Sequence, residues 1–375
     1  MSNHQPTKHM MVLMVDRILH LLDAPGGKAV IMSAIDWMGA FDRLDPTITI
    51  SKLISMGLRP SIVPVIMEFL EDRKMSVRYN QAWSKWHGLV GGGPQGSWLG
   101  QMCYIGASDD AASWLEDEDK YKFCDDLSIL ELVAIGGALT EYDFKKHVAS
   151  DIPIGDKFLK PENLKTQQNL IQVAQWSENN LMRLNEAKTK YIIFSRTKSN
   201  ISTRITVNDN PIERKQHIKI LGMWLQEDGG WSKNTQEYCK KAYSRLSMLT
   251  KLKYAGVQTE DLITIFKLFI RSTLEYNSVA FHSSLTSQQE NALERCQSVC
   301  LKVILSDSYI SYNAALEMSG LETLKIRREK RCLDFSIKCV KHPENKRIFP
   351  LNENNSDKNV RSREKYKVNF AFTTT

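Results

Sequence analysis

Three carboxylates set against apolar runs of strand length constrain this chain more than any other feature. Lys28 to Ile35 is such a run, and it ends at Asp36. Tyr121 to Cys124 and Leu127 to Leu130 are two more, flanking Asp125-Asp126. Short apolar runs bounded by polar breaks read as strands, so the second pair reads as a hairpin with two carboxylates at its tip. A charge beside a sheet core is costly without compensation. Converging carboxylates fit a pair of hard divalent cations, which take oxygen ligands. Two such metals about 4 Å apart activate an attacking hydroxyl and stabilise a leaving phosphate. An Asp-Asp pair by itself is ordinarily an exposed turn. Asp109-Asp110, in a stretch that reads as a surface helix from Ser97 to Leu115, is the internal control.

The surrounding pattern is α+β. Met10, Met14, Ile18 and Leu22 share a helical face before Pro25-Gly26-Gly27. Asp45-Pro46 reads as an N-cap and first-turn proline of a helix closing at Gly57. Met75–Tyr79 and Trp86–Val90 read as paired strands about Asn80-Gln81, and residues 133–165 as a long irregular insertion. Gln167 to Leu184 reads as a helix, and Ile205 to Ile212 as a hairpin about Asn208-Asp209. Beyond Asp228-Gly229-Gly230 helices replace strands. One of them places Leu262, Ile265, Phe266, Phe269, Ile270 and Leu274 on one face. The boundary is therefore expected at 226–232, with a loosely ordered tail beyond Pro350.

Charge follows the same division. Residues 231–375 carry 24 Lys and Arg against 15 Asp and Glu, a net of +9, and the remainder is −2. A basic helical half suits an anionic polymer, and lysine-rich solvated faces are the plain alternative. The seven cysteines are odd in number and scattered, unlike a disulfide framework. Cys296 and Cys300 read as small core residues with Leu293 and Ile304. Cys332, Cys339 and His342 fit no zinc module. No apolar run is long enough for a membrane span, and residues 1–10 lack an apolar signal core. No membrane partner is expected, and the expected location is intracellular.

The order of the motifs carries a family resemblance. Asp36-Trp37-Met38-Gly39-Ala40-Phe41-Asp42 resembles the first palm motif of reverse transcriptases. Gly93-Pro94-Gln95-Gly96-Ser97 with Leu99-Gly100 resembles their Pro-Gln-Gly motif, and Phe123-Cys124-Asp125-Asp126 their aromatic-x-Asp-Asp motif. Leu184-Asn185 with Lys188-Thr189-Lys190 is similar to the next motif, and Ile220-Leu221-Gly222 to the primer-grip strand. Asn291 to Gln297, with Leu301, is similar to the thumb of the same group. The pattern is closest to non-LTR (LINE-type) retrotransposon enzymes. It departs from them at Gly39, Gly93, Gln101 and Phe123, none of which is a metal ligand.

The resemblance implies a polymerase palm, an antiparallel sheet with packed helices, followed by an α-helical thumb. The expected layout is 1–29 as a remnant of fingers, 30–225 palm, 226–306 thumb and 307–375 a basic helical extension. The implied activity is RNA-directed DNA polymerisation with two Mg²⁺ ions, or Mn²⁺, held by Asp36, Asp125, Asp126 and the carbonyl of Trp37. Lys188 is the implied proton donor, with a solvated edge lysine as the alternative. Trp37, Phe41 and Gln95 would face the nucleotide, Phe41 as a gate against the ribose 2′-OH or as an ordinary core aromatic. Leu221 and Gly222 would hold the primer. The implied partners are an RNA template, a DNA primer and dNTPs, in the nucleus or a cytoplasmic ribonucleoprotein. The few residues before Asp36 suggest the C-terminal part of a longer polyprotein or a truncated copy. Three alternatives stay open: an inactive copy that only binds nucleic acid, a viral RNA-dependent RNA polymerase, and a group II intron maturase.

Overall fold

The computed structural model describes residues 7–23, 28–89, 91–135, 157–197 and 201–341. The helices used below are α1 (Thr7–Asp23), α2 (Pro46–Ser55), α3 (Val63–Leu70), α4 (Trp98–Ala107) and α5 (Lys165–Asn179). They continue with α6 (Ser232–Tyr254), α7 (Thr259–Ile265), α8 (Ser287–Leu305), α9 (Tyr312–Ser319) and α10 (Leu324–Lys341). The strands are β1 (Lys28–Ile35), β2 (Lys120–Phe123), β3 (Asp126–Ala134), β4 (Lys190–Ser195), β5 (Glu213–Arg214), β6 (His217–Ile220) and β7 (Met223–Gln226). The architecture is mixed α and β. The chain divides into two units, Met1–His4 with Leu21–Gln216, and Gln5–His20 with His217–Thr375.

The first unit is built on a five-stranded sheet of order β5-β4-β1-β3-β2. The central strand β1 is antiparallel to both neighbours, with Ile35 opposite Leu127 and Ala34 opposite Lys190. Ala29, Ile31 and Ile35 of β1 pack with Leu127 and Ile129 of β3 and with side chains of α3, α4 and α5 in one core. Each large apolar side chain so buried contributes about 1.5–3 kcal/mol. Asp45 caps α2 as expected, its Oδ1 accepting from the Ile48 amide at 2.9 Å.

Two helices are shorter than their apolar pattern. Helix α4 stops at Ala107 because two ammonium groups take its last carbonyls. Lys52 Nζ donates to Ala107 O at 2.8 Å, and Lys122 Nζ donates to Ser108 O. Asp109-Asp110 therefore lies in turns beyond the helix. There Asp110 pairs with Lys52 at 2.6 Å and accepts the Trp176 indole N–H at 3.1 Å. Helix α5 ends at Asn179, and Leu184 instead bridges to Trp37. Most of the stretch expected to be irregular, and the tail beyond Lys341, lie outside the described residues.

In the second unit the hairpin β6–β7 spends its polar groups on α6. Trp224 N donates to Asn234 Oδ1 at 3.1 Å, and Lys233 N to Gln226 Oε1 at 2.5 Å. Hence the units divide at Gln216 and His217 rather than in the 226–232 stretch where the pattern changes. Helix α7 runs into a π-helical turn over Phe266–Arg271. Leu262, Phe266, Ile270 and Leu274 recur every fourth residue and are fully buried. That spacing drifts round a 3.6-residue helix, and the wider π turn brings the four back into line. Phe269, expected on the same face, is 52% exposed as a result. Cys296 and Cys300 are buried free thiols on α8.

Candidate functional site

The geometry around Asp36 follows from strand register. Ile35 faces Leu127, so the next step outward sets Asp36 beside Asp126 at the same end of two neighbouring strands. Phe123 pairs with Asp126 across the β2–β3 turn, which leaves Cys124 and Asp125 at its tip. Cys124 has φ 54°, a left-handed conformation that costs a side chain with a Cβ. Asp126 leaves over a third of its surface to solvent. Even so, the protein packed around its carboxyl, then the charges of Asp125 and Asp36, hold its pKa above the ordinary carboxylate value. The three expected carboxylates thus share one field.

Their donor chemistry suits hard cations, and the crowding of like charge is what a cation would relieve. Among the described residues no group of three or more His, Cys, Asp or Glu side chains is gathered tightly enough to hold a metal ion. Cys332 and Cys339 are free, and His342 lies outside the described residues.

The backbone of Asp36 is clamped from the β4 side. Its carbonyl accepts from Asn185 N at 2.8 Å, and its amide donates to Thr189 Oγ1 at 3.4 Å. Asn185 Oδ1 and carbonyl both accept from Lys188 N, so the turn 185–189 is closed on itself. Lys188 is thereby held at the backbone while its side chain is exposed. Trp37 is buried: its indole donates to Ser177 Oγ at 2.9 Å and meets Trp176 edge-on at 5.8 Å. Its side chain is a core anchor for the strand end, so only its backbone is left for the expected ligand role.

The Pro-Gln-Gly segment is docked onto the loop after Asp36. Gly93 N donates to Phe41 O at 2.6 Å, and Gly92 N to Leu44 O at 2.8 Å. Gly92 has φ 89°, and a Cβ there would lie 2.9 Å from Asp42 O, so only glycine fits this approach. The Arg73 guanidinium ties the run down, donating to Gly91 O at 2.8 Å and also to Gly92 O. Gln95 Nε2 reaches Asp42 Oδ1 at 3.2 Å, at the exposed rim. Phe41 is half-buried and stacks on Tyr104 with centroids 4.5 Å apart. Tyr104 is 1% exposed, and among the described residues its hydroxyl has no hydrogen-bond partner. Burial, then Asp125, Cys124 and Asp126, push its pKa up.

Sequence reasoning placed Asp36, Trp37, Phe41, Gln95, Asp125, Asp126 and Lys188 in this first unit. It did not find Arg73 or Tyr104. A basic residue beside a Gly-rich turn, and an aromatic at helical spacing from Gly100, carry too little pattern to stand out.

Leu221 and Gly222 form the β6–β7 turn in the second unit, with φ 44° and 85°. Tyr276 holds that turn, its hydroxyl donating to Leu221 O at 2.9 Å. A Cβ on Gly222 would lie 3.1 Å from the Tyr276 ring.

No protein-family model matches the chain, and no curated protein matches it. Solved structures do. Telomerase from Candida albicans, in complex with a TWJ fragment of telomeric RNA, aligns with TM-score 0.40 and 12% identity over 86% of this chain and 55% of that one. Apo telomerase from Candida tropicalis aligns with TM-score 0.39 and 12% identity over 91% and 55%. The Candida tropicalis enzyme in complex with the same kind of RNA fragment aligns with TM-score 0.35 and 14% identity over 81% and 52%. The chain spans about half the length of the telomerase chains that it matches. Among the described residues no helix is long and apolar enough to cross a membrane.

Proposed function

We propose that the chain is a nucleic-acid polymerase of the reverse-transcriptase type, extending a primer 3′-OH with dNTPs on an RNA template. The non-LTR retrotransposon assignment rests on the motif order alone. One observation carries the reading: the β1–β3 register sets Asp36 beside Asp126, in the common field of Asp125. In this reading the sheet unit is the palm and the helical unit the thumb. Asp36, Asp125, Asp126 and the Trp37 carbonyl are the groups that would hold two Mg²⁺ ions. They do not stand close enough to do so as they are, so binding would have to draw them together. The ions would then supply an activated hydroxyl and charge stabilisation at phosphate. The protein's own residues orient. Asn185 and Thr189 fix the Asp36 backbone, and the Gly91–Gly93 run fixes the loop that carries Phe41.

Primer extension with dNTP and rNTP, in parallel with Mg²⁺-dependent melting, tests the proposal. Asp36→Asn and Asp125→Asn should each lower extension by about 100-fold or more and remove the stabilisation by Mg²⁺. Phe41→Val should raise rNTP use relative to dNTP. A wild-type chain whose melting ignores Mg²⁺ would sink the metal assignment even where extension is undetectable.

A further inference from the structure

Between α3 and α4 the chain leaves the core as a two-stranded ribbon. Lys74 and Met75 pair with Gly88 and His87, and Arg78 and Tyr79 pair with Trp83 and Ala82. Asn80 and Gln81 close it with φ 45° and 68°, the two left-handed residues that a tight hairpin requires. Two residues separate the ladders on the first strand and three on the second, so a bulge falls at Ser84–Trp86. Ser84 bridges it, its Oγ accepting from Val77 N at 2.9 Å and its carbonyl from Ser76 Oγ at 2.8 Å.

This ribbon leaves its largest side chains in water. Tyr79 is 76% exposed, Trp83 64% and Trp86 69%. An isolated hairpin is marginal, and three uncovered aromatic rings do not stabilise it. Its charge is of one sign. No Asp or Glu occurs from Arg73 through Ser108, and Lys74, Arg78 and Lys85 are exposed among the rings. Arg78 lies over the Trp83 ring at 5.5 Å, its direct cross-strand partner.

We propose that the ribbon Lys74–Gly88 is a stacking platform for single-stranded nucleic acid. Aromatic rings hold bases by their faces whatever the sequence, and interleaved cations track the phosphates. Tyr79, Trp83 and Trp86 would take the bases, and Lys74 and Lys85 the backbone. Asn80 and Gln81 put amides at the tip, within reach of base edges. That polar tip disfavours a lipid surface, which an inserting hairpin would meet apolar end first. Strand alternation puts Lys74, Ser76 and Arg78, with Trp83, on one face and the exposed Met75, Val77 and Tyr79 on the other. What favours a polyanion over a protein is that every charge on the ribbon is positive. This binding goes beyond the polymerase reading and needs neither metal nor nucleotide.

The test is fluorescence anisotropy of the full chain with a labelled oligothymidine and with an abasic oligonucleotide of equal length. Tyr79→Ala and Trp83→Ala should each weaken oligothymidine binding by about 5- to 100-fold and leave abasic binding unchanged. Trp83→Phe should keep most of the affinity. Lys74→Gln and Lys85→Gln should weaken both ligands and reduce the salt slope by about one each. Unchanged oligothymidine affinity in the Tyr79→Ala, Trp83→Ala, Trp86→Ala triple variant would overturn the proposal. So would equal losses on both oligonucleotides. Flotation with phosphatidylserine vesicles that only the triple variant loses, at unchanged oligonucleotide affinity, would overturn it in favour of a membrane surface. Extension activity is not read, so failure of the polymerase reading shows separately.

Discussion

The two units treat a cluster of carboxylate and neighbouring charge in opposite ways. In the helical unit Glu275 is 1% exposed, and three arginines converge on it. Arg327 forks onto both of its oxygens, Arg331 reaches Oε2 at 3.2 Å and the Glu275 carbonyl at 2.9 Å, and Arg271 stands at 4.0 Å. In the sheet unit Asp36, Asp125 and Asp126 stand together at a strand end, and the neighbours that shift Asp126 are acids. The first arrangement is satisfied within the protein and holds helices together. The second is open, partly solvated and left with excess negative charge. A carboxylate whose charge is matched in place reads as structure, and a group of them left unmatched at a rim reads as a site.

The contrast can be broken most forcefully at Glu275. Glu275→Gln should destabilise the chain by about 1–3 kcal/mol in chemical denaturation, because it takes the carboxylate from Arg327 and from the more buried Arg271, while the half-exposed Arg331 turns to solvent. A loss below about 1 kcal/mol would show that solvent, not Glu275, compensates them.

Asp126→Asn should act in the other direction. The folded state holds the Asp126 proton more tightly than the unfolded chain does. Its contribution to stability is therefore complete below about pH 4 and is lost as pH rises through the raised folded value. At neutral pH the variant should be more stable than the wild type, by an amount that solvent screening keeps small. The difference should vanish at acid pH. Denaturation of both chains across pH 3–7 checks the sign. A variant less stable at neutral pH would place a hidden cation partner beside Asp126.

The smallest effect concerns the turn beneath the acids. Cys124→Gly should stabilise the chain by a few tenths to about 1 kcal/mol, since glycine adopts φ 54° without the Cβ clash. Destabilisation would mean that the Cys124 side chain contributes packing worth more than the backbone strain.

Much of the site was legible in the sequence because it is local. The run Lys28–Ile35, the hairpin about Asp125-Asp126 and the Asp45 cap each depend on residues within one element. The run and the cap stand where the pattern sets them, and the hairpin turns one residue earlier, at Cys124 and Asp125, which leaves Asp126 in the strand. The π turn at Phe266–Arg271 was not legible, because the choice between two helical pitches falls to the neighbours that Leu262, Phe266, Ile270 and Leu274 must meet. The early end of α4 was equally hidden. Lys52 and Lys122 reach its carbonyls from distant positions in the chain.

By itself the sequence determined that Lys28–Ile35 is a strand, that Asp45-Pro46 opens a helix, and where the carboxylates sit along the chain. Periodicity and turn residues act over a few positions. Only the tertiary structure decided that β1 lies between β3 and β4, which sets Asp36 beside Asp126 and between Asn185 and Thr189. It also decided that Trp37 turns inward and that β6–β7 joins the helical unit. Those outcomes depend on which distant surfaces bury one another and which distant donors meet their acceptors.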